Sequence, residues 1–242
     1  MLLTLPIREV VRATPRARIV RIDLNGRRFD YAAGQAVVVG THAAGERRPY
    51  SIAAAPEDAR RDRWLELLVG VDGNGHAGPH LSLATGTSVD VEGPVGTFTF
   101  PASPEERQFV FIAGGTGIAP LRAMLRHVLA ASHGKAKGGI SLRLGLLYSA
   151  RTPDEFAYED EFRALARAGR IELRQTITRP GEFDWSGARG RIDRAVLSEL
   201  LHGPATLCFV CGPPALVAEM TKLLEALSVP PSLIRAEAWN MA

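Results

Sequence analysis

Cysteine, lysine and aromatic side chains are all scarce in this chain. Only Cys208 and Cys211 occur among its 242 residues. Two thiols fall short of the ligands that an iron–sulfur cluster or a structural zinc site needs, so any iron–sulfur partner is a separate protein. Their C-x-x-C spacing lies on an apolar stretch that reads as a strand, where residues three apart point to opposite faces. A thioredoxin-type redox pair is therefore not expected. Lysine appears only at 135, 137 and 222, which leaves arginine to carry the positive charge. The net charge of +3 is too small an excess for nucleic-acid binding, and no basic run interleaves with aromatics. No apolar run approaches the roughly 20 residues that cross a bilayer. Met1–Pro6 is too short, and lacks the basic start, for a secretion signal. A cytoplasmic enzyme with no membrane partner is the expectation.

Hydrophobic residues make up 46% of the chain and charged ones 23%, enough apolar material for two cores. The first half, to about residue 102, consists of short alternating segments broken by turns. Strands are predicted at Ile7–Val11, Ala17–Asp23, Ala36–Gly40, Tyr50–Ala53, Trp64–Val71, Ser88–Glu92 and Thr97–Phe100, with breaks at Asn25-Gly26, the Asp72–Gly75 run and Gly93-Pro94. That spacing suggests a small antiparallel β-barrel domain over 1–102. After the link Pro101–Pro104, a second domain over 107–242 alternates buried strands with helices. Its strands are predicted at Phe109–Ala113, Ser141–Tyr148, Ile171–Thr176, Thr206–Val210 and Leu233–Ala236, and its helices from Ile118, near Glu155–Arg167, at Arg191–Leu201 and at Ala215–Leu227. The pattern specifies an α/β doubly wound parallel sheet.

Phosphates are held by backbone N–H groups at helix N-termini. Gly114, Gly115, Thr116 and Gly117 follow a buried strand and open a helix, with Pro120 in its first turn. The spacing Gly115-x-Gly117-x-x-Pro120 differs from the three-glycine dinucleotide fingerprint, so a ligand-free β–α turn competes with nucleotide binding here. Arg48-Pro49-Tyr50-Ser51 shows an arginine and two hydroxyl residues near a strand, and a guanidinium is a group able to grip phosphates bidentately. An ordinary strand edge with a surface arginine is the competing reading.

Four motifs in one order, Arg48–Ser51, Gly93–Phe98, Gly114–Pro120 and Cys211-Gly212-Pro213-Pro214, resemble those of the ferredoxin–NADP⁺ reductase family of flavoproteins. The resemblance implies a barrel that binds FAD, a second domain that binds NADP(H) or NAD(H), and hydride transfer from nicotinamide to flavin N5. It assigns Ser51, Cys211 and Glu237 to positioning the reacting atoms, and Trp239 to a ring that covers the flavin and moves aside. A structural Cys211 and a tryptophan packed on the surface are the alternatives. Cofactor contacts are expected at Arg48, Pro49, Tyr50, Ser51, Leu68 and Val69, and at Gly115, Thr116, Gly117, Cys211, Gly212 and Pro213. Two departures stand out. Where relatives carry a Gly-x-x-Ser segment for the flavin phosphate, this chain has Gly75 and then Gly78, followed by Pro79, His80, Leu81 and Ser82; Asn240–Ala242 also extend beyond the aromatic. Backbone N–H groups of the 75–82 loop are expected to hold the phosphate; His76 and His80 are either further phosphate contacts or, the preferred reading, exposed loop histidines. Ser149 and Arg151, or Thr178 and Arg179, are the candidates for a 2′-phosphate, which leans the reading toward NADPH.

The implied acceptor is a separate one-electron carrier of ferredoxin or flavodoxin type, or an oxygenase component. Arg47 and Arg48, or Arg60, Arg61 and Arg63, offer it a basic surface, unless they form a merely solvated face. A free-flavin reductase and a non-catalytic flavin- or nucleotide-binding subunit are the other readings.

Overall fold

The computed structural model describes residues 1–133, 142–179, 181–203 and 205–239. Two compact units are distinguishable, Met1–Phe100 with Arg122–Lys135, and Pro101–Leu121 with Ala136–Ala242. The first unit contains β1 (Leu2–Thr14), β2 (Ala17–Asp23), β3 (Ala36–Thr41), β4 (Arg48–Ser51), β5 (Trp64–Gly70) and β6 (Ser88–Val95). They form one antiparallel sheet in the order β4-β3-β6-β1-β2-β5. An isolated bridge between Ile52 and Leu67, with Ala53 N–H donating to the Glu66 carbonyl at 2.7 Å, joins the two outer strands and closes the sheet. The period-2 alternation of Leu3, Leu5 and Ile7 on β1, and of Val20 and Ile22 on β2, puts these side chains into a single core with Val37, Val39, Leu65, Val89 and Val91.

Several sequence expectations change here. Thr97–Phe100 is not a strand; Phe98 and Phe100 are buried one by one, and Phe100 N–H reaches the Ala33 carbonyl at 2.9 Å. Their alternation reflects two rings filling the core, not a ladder. Gly93-Pro94, expected to break the chain, lies inside β6, where a bulge sets Ala36 opposite Val95 and Val38 opposite Glu92. A short helix α1 (Pro56–Asp62) was not foreseen. Its signals were present: proline in the first turn, Glu57 and Asp58 beside the positive end of the dipole, and Arg60 and Arg61 at the other end.

The second unit contains β7 (Gln108–Gly114), α2 (Ile118–His133), β8 (Arg143–Ala150), α3 (Glu159–Arg167), β9 (Glu172–Ile177), β10 (Ala188–Arg189), α4 (Arg194–Leu200), β11 (Thr206–Gly212), α5 (Pro214–Ala226) and β12 (Ile234–Ala238). From Arg122 onward, α2 belongs to the first unit. The sheet is parallel, in the order β10-β9-β8-β7-β11-β12. Chain order reverses direction at β7 and β11, the place where open α/β sheets take ligands at their C-terminal ends. Ser141, expected to begin β8, and the Asn240–Ala242 tail lie outside the described residues. Among those residues, no helix is long and apolar enough to cross a membrane.

The stem of α2 is tied into the first unit by buried charge. Glu66 on β5 accepts from Arg122 Nη1 through Oε1 at 2.8 Å and from Arg21 Nε through Oε2 at 2.9 Å. Arg122 Nη1 also donates to the Ala53 carbonyl at 2.8 Å. Arg122 and Glu66 are both buried. Such a chain contributes little net stability when complete, but removing one member strands a buried charge. Glu66→Ala is expected to destabilise the barrel by about 3–5 kcal/mol. Urea unfolding followed by far-ultraviolet dichroism measures the loss, and an unchanged midpoint would show that the network carries no structural weight.

Candidate functional site

β4 presents Arg48, Pro49, Tyr50 and Ser51 with Arg48 half-exposed, Pro49 exposed, Tyr50 half-buried and Ser51 buried. Pairing with β3 sets Ser51 against Ala36 and Tyr50 against Val37. Arg48 Nε donates to Glu46 at 2.9 Å in an exposed pair, which holds the guanidinium only weakly. Leu68 and Val69 of β5 are both buried, and the Val69 side chain belongs to the barrel core, so its backbone is the part left for a ligand.

The 75–82 loop departs from the reading of exposed histidines. His76 is exposed, but His80 is 1% exposed. Its ring stacks on Tyr50 with centroids 6.0 Å apart and an interplanar angle of 14°, and its Nε2 lies 2.6 Å from the Tyr50 hydroxyl. Burial pushes the Tyr50 phenol up to about 12 and, with Arg48 nearby, the His80 imidazole down. Burial keeps the Tyr50 phenol protonated and the His80 imidazole uncharged; in the tautomer in which Tyr50 donates to Nε2, the ring's one proton sits on Nδ1. Nδ1 is buried with no hydrogen-bond partner. It lies 3.2 Å from the point where a side chain on Gly78 would begin, and Gly78 adopts φ +106°, which excludes most other residues.

Residues 75–79 and 81–84 line an open cavity of about 600 Å³, while the His80 side chain is buried and not part of its lining. The N–H groups of Gly75 and His76 are turned onto Asp72, that of Leu81 onto the Gly78 carbonyl and that of Ser82 onto Thr41 Oγ1 at 2.8 Å. Pro79 has no N–H. The backbone N–H groups of this stretch without an acceptor among the described residues are those of Ala77, Gly78 and His80, of which Ala77 and Gly78 line the cavity. An orphaned buried donor, a side-chain-free corner and a neighbouring arginine suit a phosphate-bearing flavin nucleotide.

In the second unit, the C-terminal edge of the sheet gathers the rest. Gly117 has no room for a side chain, because a Cβ would collide with the Cys211 carbonyl. A Cβ on Gly212 would come within 3.1 Å of Gly114 N, a tighter contact than usual though not a hard clash, and Pro213 Cδ lies 3.0 Å from where a Cβ on Gly114 would sit. Glycine at these places therefore brings the turn Gly115-Thr116-Gly117 and the Cys211-Gly212-Pro213 segment together at the switch point. Sequence reasoning missed the brace beneath this turn. Tyr148, fully buried near the end of β8, donates its hydroxyl to the Gly115 carbonyl at 3.1 Å and accepts from Ala157 N–H at 3.2 Å. Phe156 and Phe162 meet its ring edge-on. The signal was a phenol in an apolar buried run, whose O–H must find a partner.

Ser149, at the end of β8, lies between Gly114 and Thr176 in the ladder. Beyond it, Thr178 N–H bonds the Ala150 carbonyl at 3.0 Å and Arg179 N–H the Arg151 carbonyl at 2.9 Å, so the two candidate 2′-phosphate pairs share one corner. Cys211 and Cys208 are free thiols, both buried, and burial pushes Cys208 up to about 12 and Cys211 further up. Trp239 N–H donates to the Gly212 carbonyl at 3.1 Å, and its indole Nε1 to Glu237 at 3.0 Å. Burial raises the Glu237 carboxyl against that hydrogen bond. Cys211, Glu237 and Trp239 thus form one cluster, in which the indole serves the carboxylate. Among the described residues no group of three or more histidine, cysteine or carboxylate side chains could hold a metal.

Residues 4–100 match the oxidoreductase FAD-binding domain family and residues 111–222 the oxidoreductase NAD-binding domain family. The chain is 35% identical over 228 residues to ferredoxin–NADP reductase B of Sorangium cellulosum (strain So ce56), covering 89% of this chain and 88% of that protein. It is 26% identical over 195 residues to the ferredoxin–NAD(P)(+) reductase component of the naphthalene 1,2-dioxygenase/salicylate 5-hydroxylase systems of a Ralstonia species. That match covers 79% of this chain, which spans 56% of the relative's length. Among solved structures, a cytochrome P450 reductase from Amycolatopsis superposes with a TM-score of 0.83 at 26% identity, covering 98% of this chain and 69% of that one.

Tyr148→Phe removes a buried hydroxyl from two backbone partners, a loss of about 1–3 kcal/mol. The expected outcome is a several-fold higher KM for the dinucleotide with the barrel's ligand content unchanged, read by steady-state kinetics and absorbance. An unaltered KM would mean that the Gly115 turn stands without its brace.

Proposed function

The chain belongs to the ferredoxin–NADP⁺ reductase family of FAD- and NAD(P)-binding oxidoreductases, and from that premise we propose that it oxidises NAD(P)H and hands single electrons to a separate carrier protein of ferredoxin or flavodoxin type. The observation that carries this reading is the crowded glycine turn at the β7/β11 switch point, in a chain that also carries the flavin-type Arg48–Ser51 strand. When bound, FAD supplies the conversion of a two-electron hydride donor into a source of single electrons.

The chain's own residues divide the remaining work. Arg48 and the 75–82 loop neutralise the flavin's phosphates, and Tyr50 packs against its ring system. Ser51, buried at the end of β4, would help hold the flavin's reacting edge through its hydroxyl. The Gly115–Gly117 turn holds the dinucleotide's pyrophosphate through backbone N–H groups. Cys211 would border the nicotinamide as a neutral thiol, because burial weakens its acidity and keeps it from acting as a thiolate. Trp239 keeps Glu237 in place by its indole bond. The chemistry needs positioning and no general acid.

A second reading, the reductase component of a multicomponent oxygenase, draws on the likeness to the Ralstonia component and differs only in the acceptor.

The purified protein under anaerobic conditions is expected to show a flavin absorption band that bleaches on adding NADPH, and more slowly with NADH. Ser51→Ala should slow that bleaching by about 100-fold while the flavin stays bound. A colourless protein that retains no added FAD and oxidises neither nucleotide would overturn the proposal.

Nucleotide preference has its own test. Arg151→Ala and Arg179→Ala are each expected to raise KM for NADPH about ten-fold, the loss of one charge-assisted contact, with KM for NADH little changed. Equal effects on both nucleotides would remove these arginines from 2′-phosphate recognition.

A further inference from the structure

We propose that the Nδ1–H of His80 is the side-chain donor that grips the flavin nucleotide's phosphate in this chain, standing in for the hydroxyl that Gly78 does not provide. The inference rests on the reading of the 75–82 loop as the flavin-phosphate loop, and names which group does the holding.

Three observations converge on it. His80 is 1% exposed, yet its Nδ1 has no partner, and a buried donor left unpaired is destabilising until an acceptor arrives. Nδ1 and Cε1 lie 3.2 and 3.4 Å from the place where a side chain on residue 78 would start, so the imidazole edge occupies the corner that a serine hydroxyl would fill. The ring is also held for the task. The Tyr50 hydroxyl engages Nε2 at 2.6 Å, the Tyr50 ring stacks on it, and the His80 carbonyl accepts from Thr41 N–H at 2.8 Å.

Tyr50 therefore does two things through one side chain: it offers its ring face to the flavin and commits the His80 proton to Nδ1. A phosphate oxygen at Nδ1 completes a relay from Tyr50 O–H through imidazole to an anion, and a bond to a charged acceptor is stronger than one between neutral groups. A cationic residue is not needed there, since Arg48 stands on the same β4 strand as Tyr50.

The test is a flavin titration of the whole apoprotein, followed by quenching of flavin fluorescence, with FAD and with riboflavin, which has no phosphate. His80→Phe keeps an aromatic ring but neither nitrogen. Its FAD affinity is expected to fall about 10- to 100-fold, with riboflavin affinity unchanged. Should that variant fail to fold by circular dichroism, two amides decide. His80→Asn places an N–H near the Nδ1 position and should bind FAD within about three-fold of the parent, the scale of an imperfectly matched hydrogen bond. His80→Gln places its amide toward Tyr50 and should bind FAD as weakly as the phenylalanine variant.

FAD affinity that is the same in the asparagine and glutamine variants would overturn the proposal. So would a parallel loss of FAD and riboflavin, which would reduce His80 to a prop for Tyr50. Parent protein that binds neither flavin would instead sink the flavoprotein reading of the barrel, and this inference with it.

Discussion

Between the ends of β7 and β11 there is no space for a methyl group. A side chain on Gly117 would strike the Cys211 carbonyl, and one on Gly212 would press on the backbone of Gly114. This steric limit is what lets the two strand ends lie close enough for the Gly115–Gly117 turn and the Cys211–Pro213 segment to form one ligand-facing surface. It also sets where α2 begins, because the helix starts at Ile118 directly after the turn. The parallel sheet supplies the remaining order: β8, β9 and β12 end on the same edge, bringing Ser149, Thr178 and Glu237 to that surface without any local sequence signal linking them.

The barrel solves a different problem. Its strands bury one face each, so a ligand must be met by the residues that turn away from the core or by loops. Tyr50 and His80, 30 residues apart, provide a polar contact on the margin of an otherwise apolar interior. Their pairing converts two titratable side chains into a neutral, directional unit: a phenol kept protonated by burial and an imidazole kept uncharged by the same cause. Buried charge in this unit is paired, Glu66 with Arg122 and Arg21 and Asp58 with Arg126, so the cost of desolvation is shared. Among the described residues of this unit, Nδ1 of His80 is the fully buried side-chain nitrogen or oxygen left without a hydrogen-bond partner.

Local chemistry was legible wherever one short segment carries it. The buried strand at Phe109–Ala113, the glycine turn after it, the helix from Ile118 and the Arg48–Ser51 strand are each written in fewer than about twenty consecutive residues, the length over which hydrophobic period and turn chemistry act. Gly93-Pro94 misled because a proline–glycine pair marks a turn or a bulge equally well, and only the partner strand β3 selects between them. Thr97–Phe100 misled because alternation is a statement about burial, and two phenylalanines are buried there without a ladder. His80 was read as exposed for a related reason: a glycine- and proline-rich stretch looks like a solvated loop from within.

The sequence by itself determined two cores, an antiparallel half followed by a parallel half, and the residue types that recognise phosphates and rings. These follow from periodicity and from the backbone freedom of glycine, which are local properties. Only the tertiary structure decided that His80 turns inward onto Tyr50, that the Tyr148 hydroxyl braces the Gly115 carbonyl, that Trp239 serves Glu237 through its indole, and that Glu66 joins Arg21 to Arg122. Each of the last group needs a hydrogen bond whose direction and length depend on two segments meeting in space. For all of these except the Glu237–Trp239 pair, two residues apart, no short window of sequence contains both partners; that pair's burial beside β11 is what only the fold supplies.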